Sequence, residues 1–260
     1  MTNPPAVLFT RDANVARLTF NRPDVLNAID IETARMFRDA CHAIASDPDV
    51  RVVVMQGAGR GFVAGGDLKV FEAGPADIAA SLIDPMHEGL ALLTAADAPV
   101  VARLHGAVAG AGMSLALGCD LAIAAEGTRF NMAYLRVGAS CDVGASWHLP
   151  RIVGLRRAME IALLNPVLDA EEAHRIGLVN RVVPADALDA TVDMIVAQLV
   201  AGPPVATGLM KRLLRQSAEH DLAQQLASER DSFDICAATA DFSEALVAFT
   251  ERRPARYTGR

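Results

Sequence analysis

The 260 residues carry 24 basic and 31 acidic side chains, a net charge of −7, and 52% of them are apolar. That balance provides ample material for a buried core and no basic face for nucleic acid. The four cysteines, Cys41, Cys119, Cys141 and Cys236, show no C-x-x-C spacing, which argues against a zinc knuckle or a disulfide framework. No run approaches the roughly 18 apolar residues of a membrane span, and Met-Thr-Asn-Pro-Pro-Ala at the start lacks a basic region followed by an apolar stretch. The expectation is a cytoplasmic chain with neither a membrane nor a nucleic-acid partner.

Alternating apolar residues from Val7 to Thr10 and from Val15 to Phe20, separated by Arg11-Asp-Ala-Asn14, predict an opening β-hairpin. Asn21-Arg-Pro-Asp-Val-Leu-Asn27 then reads as a loop. With Asp30 as N-cap, Ile31, Ala34, Phe37, Ala40, Cys41 and Ile44 recur at helical spacing until Asp47-Pro48 ends the run. A buried strand over 50–55 feeds a first glycine loop, Gly57-Ala-Gly-Arg-Gly-Phe-Val-Ala-Gly-Gly-Asp67. After a helix over 77–96, a second strand over 99–104 enters a second loop, His105-Gly-Ala-Val-Ala-Gly-Ala-Gly-Met-Ser114, with a helix starting near Gly112. Residues 121–125 make a third strand. The recurrence of strand, crossover helix and strand predicts parallel pairing with right-handed connections.

Beyond Gly138 the pattern turns helical, over 145–153, 155–164, 170–176, 185–199 and a long amphipathic piece over 204–226. Gly202-Pro-Pro204 is the best boundary. It separates a core over 1–202 from a terminal helical segment over 203–260, which is too short for a core of its own and is expected to pack on the core or on a neighbouring subunit.

Each glycine loop follows an apolar β-run, and small residues let backbone N–H groups approach a ligand oxygen without an intervening Cβ. Ala111 and Gly112 stand where strand gives way to helix, and a helix N-terminus offers unpaired N–H groups and a partial positive charge. Two such amides aimed at one oxygen suit acyl or thioester chemistry through an enolate or oxyanion. Glycines that only permit tight turns and close helix packing are the alternative. A dinucleotide fingerprint is disfavoured, because neither loop has Gly-x-Gly-x-x-Gly opening a helix after the first strand.

Asn21-Arg-Pro with Leu26-Asn-Ala28, Gly61-Phe-Val-Ala-Gly-Gly-Asp-Leu68, Pro99-Val-Val-Ala, Gly106-Ala-Val-Ala-Gly-Ala-Gly112 and Cys119-Asp120 occur in order along the chain. Leu149-Pro-Arg-Ile-Val-Gly154, Ala170-Glu-Glu-Ala173 and Gly177-Leu-Val-Asn-Arg-Val-Val183 continue the series. By these motifs the sequence resembles, over essentially its whole length, the crotonase superfamily, the enoyl-CoA hydratase/isomerase family. The resemblance implies an α/β fold, a crotonase-like spiral of ββα units carrying two roughly perpendicular sheets with a C-terminal helical segment. It implies a homotrimer or a dimer of trimers, an acyl-CoA thioester ligand, no organic cofactor beyond that CoA, and no metal.

By the family pattern the two oxyanion-hole amides fall on Gly66, after Ala64-Gly65, and on Ala111, after Gly110. Asp67 closes the first loop with Leu68 beside it. Leu26 and the backbone near Ala28 and Ala64 line the adenine and pantetheine path. The resemblance puts a cation at Lys211 and Arg212, near the CoA phosphates of the same or a neighbouring subunit, and Phe242 at the pocket edge. A solvated helix face is the alternative for Lys211.

The hydratase branch of this family uses two glutamates, and those positions here read Ser114 and Tyr134. A serine hydroxyl is no carboxylate base, and an unperturbed tyrosine with a pKa of about 10 stays protonated at neutral pH. Two-glutamate hydration is therefore not expected. The remaining carboxylate is Asp142 in Ala139-Ser-Cys-Asp-Val-Gly144, which aligns with the loop that carries the catalytic aspartate of isomerase-like members, although Cys141 and Val143 depart from that loop. Facing an acyl pocket, Asp142 is expected to be partly desolvated, which raises its pKa and suits it to shuttling a proton. A loop aspartate capping the helix near Ala145 is the alternative.

Asp142 also matches the nucleophilic aspartate of 4-chlorobenzoyl-CoA dehalogenase, with His87 where that enzyme keeps its water-activating histidine and Tyr134 where it keeps a tryptophan. An ordinary helix-face residue is the alternative for His87. One Trp and two Tyr make a thin supply for an aromatic pocket, with Trp147 five residues beyond Asp142. The favoured expectation is an isomerase that shifts an enoyl double bond from β,γ to α,β, with His87 and Tyr134 as further candidates for the chemistry. Aspartate-nucleophile hydrolysis, weak hydration and a non-catalytic acyl-CoA-binding protein are the alternatives.

Overall fold

The computed structural model describes residues 4–74 and 77–259. Residues 1–3 of the expected core and residue 260 of the expected terminal segment lie outside it, as do 75–76. Strands β1 (Val7–Asp12) and β2 (Val15–Phe20) form the antiparallel hairpin, with Ala13 in a left-handed conformation at the turn. Strands β3 (Val52–Gly57), β4 (Val100–Leu104), β6 (Leu121–Ala125) and β9 (Arg181–Val183) each add in parallel, giving a six-stranded sheet in the order β1-β2-β3-β4-β6-β9. A second sheet is built from β5 (Ala107–Ala109), β7 (Arg129–Asn131) and β8 (Leu168–Asp169), in the order β5-β7-β8.

The run Val52-Val-Val-Met55 is apolar throughout because both faces of the main sheet are covered. Val53 and Met55 join the core formed with Phe37 of α1 (Ile31–Ala45) and Leu93 of α3 (Asp84–Ala95). Val52 and Val54 face the other way, against Leu188 and Val192 of α8 (Leu188–Ala201). The period of two along one strand thus sorts its side chains into two cores. Helix α1 begins where the Asp30 carboxylate accepts the Thr33 N–H at 2.8 Å, a cap worth about 1 kcal/mol.

Chain order continues through α2 (Leu68–Ala73), a wide π turn over Ala79–Ile83 that leads into α3, and α4 (Ala111–Gly118). After them come α5 (Ala145–Val153), α6 (Leu155–Leu164) and α7 (Ala170–Arg175). The long helix expected over 204–226 is instead two helices, α9 (Pro204–Gln216) and α10 (Leu222–Ala237). The break is written in local chemistry: Asp221 accepts the Gln224 N–H while the Gln224 side chain accepts the Asp221 N–H, a reciprocal cap that starts a new helix. Helix α11 (Ala240–Glu251) follows, capped by Thr239.

Helix α9 docks on the core through Lys211 and through Gly208, where a Cβ would lie 2.5 Å from Asp97. Helix α10 buries none of its residues. The tail then returns: Thr258 and Gly259 donate their N–H groups to Asp241, and Tyr257 O accepts from Arg51. No single described helix is long and apolar enough to cross a membrane.

Candidate active site

The two glycine loops meet. Val63 and Val108 form a parallel bridge in which the Ala109 N–H donates to Val63 O at 2.9 Å. Next to it Gly65 (φ 110°) backs onto Gly110 (φ 52°), where an added Cβ would lie 3.3 Å from the Gly65 Cα. Helix α4 starts at this contact and is buried along its whole length. Gly112 is demanded by space, since a Cβ there would sit 2.1 Å from Val63 O.

On the first loop, Gly66 bridges Ile29: the Ile29 N–H donates to Gly65 O and the Asp67 N–H to Ile29 O, both at 2.8 Å. A parallel bridge uses the groups flanking Gly66 and leaves the Gly66 N–H on the opposite edge, without an acceptor among the described residues. Ala111 opens α4, so its N–H has no intrahelical partner. The two donors each stand one residue beyond the Gly65–Gly110 contact, Ala111 at the N-terminus of the buried helix α4. They are suited to hold a carbonyl oxygen as it gains negative charge.

Loop 21–29 braces the first glycine loop. The Nδ2 of fully buried Asn27 lies 2.9 Å from each of the carbonyls of Ala58, Gly61 and Phe62, which share its two hydrogens, and its Oδ1 accepts the Arg22 N–H at 2.8 Å. The Arg22 guanidinium reaches Ala28 O, Asp67 Oδ2 at 3.0 Å and Asp30 Oδ2 at 3.1 Å. Asp67 thereby ties the loop shut, and its other oxygen caps α2 by accepting the Lys69 N–H. Leu26 O accepts the Ala64 N–H at 3.1 Å, which sets Leu26, Ala28 and Ala64 along one strip of backbone. Leu68 is exposed beside it, and the ring of Phe71 lies over Gly66. Arg22 and Asn27 lie inside the Asn21-Arg-Pro and Leu26-Asn-Ala motifs, which is their only signal in the sequence. Phe71 has none.

Ser114, Tyr134, Asp142 and His87 come together. Tyr134 donates its hydroxyl hydrogen to Asp142 Oδ1, and Tyr134 Oη lies 2.8 Å from Ser114 Oγ. The Val143 N–H donates to His87 Nε2 at 3.0 Å, which requires a neutral ring with its hydrogen on Nδ1. The lone pair that His87 would use as a base is thus occupied by the loop that carries Asp142. Burial raises the Asp142 pKa above its ordinary value, opposed chiefly by the Tyr134 hydrogen bond. Burial, together with the adjacent Asp142, pushes the Tyr134 phenol far up, so it stays a donor at neutral pH. Asp142 does not cap α5; Gly144, in a left-handed conformation, holds that place.

The remaining candidates lie further out. Trp147 lines a cavity of about 760 Å³ beside the Asp142 loop together with His87, Gly144 and Arg212, and the Arg151 guanidinium stacks on its ring at 3.9 Å. Phe242 packs edge-to-face on Phe233, within the terminal segment. Lys211 departs from expectation. It is buried, and its ammonium group donates to Leu93 O at 2.9 Å and Ala98 O at 3.0 Å and pairs with Asp120 Oδ2 at 3.1 Å. Its three hydrogens are taken up inside the chain, so it is a strut under α9 and presents no free cation to a phosphate.

Over residues 10–260 the sequence matches the family model described as enoyl-CoA hydratase/isomerase. The chain belongs to that family. It is similar to the 1,2-epoxyphenylacetyl-CoA isomerase of Escherichia coli, 36% identical over 256 residues that span 96% of this chain and 97% of the relative. It is also similar to the 2,3-dehydroadipyl-CoA hydratase of the same organism, 34% identical over 98% of this chain and 99% of the relative. Among solved structures, an enoyl-CoA hydratase from Polaromonas sp. JS666 matches with a TM-score of 0.92 at 33% identity, over 97% of this chain and 99% of that one. The fold is that of the crotonase superfamily, and the protein is an acyl-CoA enzyme of the enoyl-CoA hydratase/isomerase family.

Proposed function

We propose that this family member is an isomerase that moves the double bond of an enoyl-CoA thioester from the β,γ to the α,β position. The observation that carries the reading is that Asp142 is the one carboxylate in the Ser114–Tyr134–Asp142–His87 cluster, with protonated hydroxyls beside it. Adding water across a double bond by the two-carboxylate route needs one group to activate the water and another to protonate the carbon. An isomerisation consumes no water and can use a single group twice.

In the first step Asp142 takes the α-proton, and the electron pair of that C–H bond moves into the conjugated system and onto the thioester oxygen. The Gly66 and Ala111 N–H groups hold the resulting dienolate oxygen, a donor pair whose loss would cost about 3 kcal/mol per donor in the barrier. In the second step the Asp142 carboxyl returns the proton at the γ-carbon, and the double bond comes to rest at α,β. The raised pKa of Asp142 brings proton uptake and proton return closer in energy. The similarity to an epoxyphenylacetyl-CoA isomerase supports net-isomerising chemistry in which water is not a reactant.

Aspartate-nucleophile hydrolysis is less favoured because His87 Nε2 is engaged by Val143. CoA is proposed to run along the Leu26, Ala28 and Ala64 strip, and no cofactor other than that CoA is required. Exposed Leu163, Leu164, Leu222 and Phe249 support assembly into a homotrimer or a dimer of trimers. The test is mass-spectrometric: trans-3-hexenoyl-CoA in deuterated water with the protein and with Asp142→Asn. Deuterium uptake and double-bond migration that vanish in the variant support the reading, and migration that persists in the variant removes Asp142 from it.

A further inference from the structure

Four oxygens stand in a row across the active site: Asp142 Oδ1, Tyr134 Oη, Ser114 Oγ and Gly110 O. The Tyr134–Ser114 step is 2.8 Å and the Ser114–Gly110 step 3.3 Å, while the Tyr134–Asp142 bond is the shortest of the three. Three contacts share two hydroxyl hydrogens. An ionised Asp142 can only accept, so the Tyr134 hydrogen is committed to Oδ1. Tyr134 Oη is then the acceptor in its other contact, which commits the Ser114 hydrogen to it. The competing acceptor, Gly110 O, is further away and already receives the Ser114 N–H at 3.1 Å. Ser114 is fully buried, so water does not substitute for its hydroxyl.

We propose that Ser114 and Tyr134 are positioning residues that form a directed two-hydroxyl relay, pinning Asp142 Oδ1 and leaving Oδ2 as the oxygen that carries the substrate proton. A hydroxyl that accepts a hydrogen bond becomes a stronger donor, so Ser114 strengthens the bond that supports charge on Asp142 without touching it. Oδ2 receives no donor from another residue among those described, and it keeps its lone pairs for a C–H proton. The titratable groups that face Asp142 are Tyr134 and, from α3, His87, with Cys141 beside it in the loop. Of these, Tyr134 alone donates to the carboxylate.

The catalytic consequence rests on the isomerase reading, but the relay itself is tested without substrate. The measurement is a difference-infrared titration of the carboxyl C=O band in the full-length protein, assigned to Asp142 by its loss in Asp142→Asn. Tyr134→Phe removes a hydrogen bond to a charged acceptor and is expected to move the Asp142 titration up by about one pH unit. Ser114→Ala is expected to move it the same way by about 0.3 of a unit. The double variant is expected to match Tyr134→Phe alone, because Ser114 acts only through Tyr134.

Additive shifts, or a Ser114→Ala protein whose thermal midpoint changes while its titration stays in place, would overturn the relay. If Tyr134→Phe does not fold, the Ser114→Ala shift decides alone. None of these outcomes depends on turnover. A failure of the relay is therefore distinct from a failure of the isomerase reading, which is judged by deuterium exchange in Asp142→Asn.

Discussion

Gly112→Ala adds one methyl group at the base of α4 and is expected to remove most of the turnover. The new Cβ would lie 2.1 Å from Val63 O and 2.7 Å from Val63 Cβ, roughly 1 Å or more inside an ordinary contact. Val63 cannot retreat, because it is fully buried and bridged to Val108. The start of α4 must lift instead, carrying the Ala111 N–H with it. A donor serves an oxyanion only at about 2.7–3.1 Å, and losing one costs about 3 kcal/mol, a fall in kcat on the order of 100-fold or more. Thioester binding is spread along the CoA and involves no new charge, so KM is expected to move much less. Overpacking should also lower stability by about 1–3 kcal/mol. The assay therefore pairs kcat for the double-bond shift, taken below both thermal midpoints, with the midpoints themselves. A folded Gly112→Ala protein that keeps kcat within about threefold would refute the argument that the seating of α4 on Val63 sets the Ala111 amide.

Asp142→Asn is expected to slow proton exchange by about 10²–10⁴-fold. Because burial holds the Asp142 carboxyl above its ordinary pKa, the folded state binds this proton more tightly than the unfolded chain, a contribution lost as pH rises through the folded value. The same variant should thus raise the thermal midpoint at neutral pH, by an amount that shrinks as the pH falls. His148 behaves oppositely. Burial, with Arg215 and Arg151 adding to it, lowers its pKa from 6.5 to about 4, so stability complete above 6.5 is lost as pH falls through about 4. His148→Gln should flatten the plot of thermal midpoint against pH across that window. Lys211→Met leaves Leu93 O and Ala98 O without their donor and takes one cation from Asp120. A loss of about 3 kcal/mol in denaturant unfolding is expected, with the Kd for free CoA, measured by calorimetry, unchanged.

The main strands and their parallel order were legible because Val52-Val-Val-Met55 and its counterparts are unbroken apolar runs ending in glycine loops. The strands missed, β5 and β7 to β9, have only two or three residues, too few to display any period. The glycine loops gave away where the two backbones meet, since a close approach of backbone to backbone leaves glycine as its trace. Lys211 was misread for a physical reason. On a helical wheel a lysine looks solvated, and nothing local reveals that Asp120, Leu93 O and Ala98 O converge beneath it from distant parts of the chain. The Tyr134–Asp142 contact was also hidden. It closes across eight residues through a short 3₁₀ turn and left-handed backbone at Gly138, a path that residue identities alone do not draw.

The Gly66 donor is a by-product of strand pairing: Ile29 satisfies the residues on either side and leaves that one amide over. Its partner is the opening residue of a helix, whose amide is unpaired by construction. Both belong to the main chain, so no exchange of side chain short of proline deletes them at either position, and on the proposed reading the means of holding a thioester oxygen comes with the topology. On the same reading, what happens to an intermediate held there is set separately, by a few side chains on α4 and on the loop around Asp142. On the proposed reading, substitutions at positions such as Ser114, Tyr134 and Asp142 would change the reaction while leaving the two backbone donors in place.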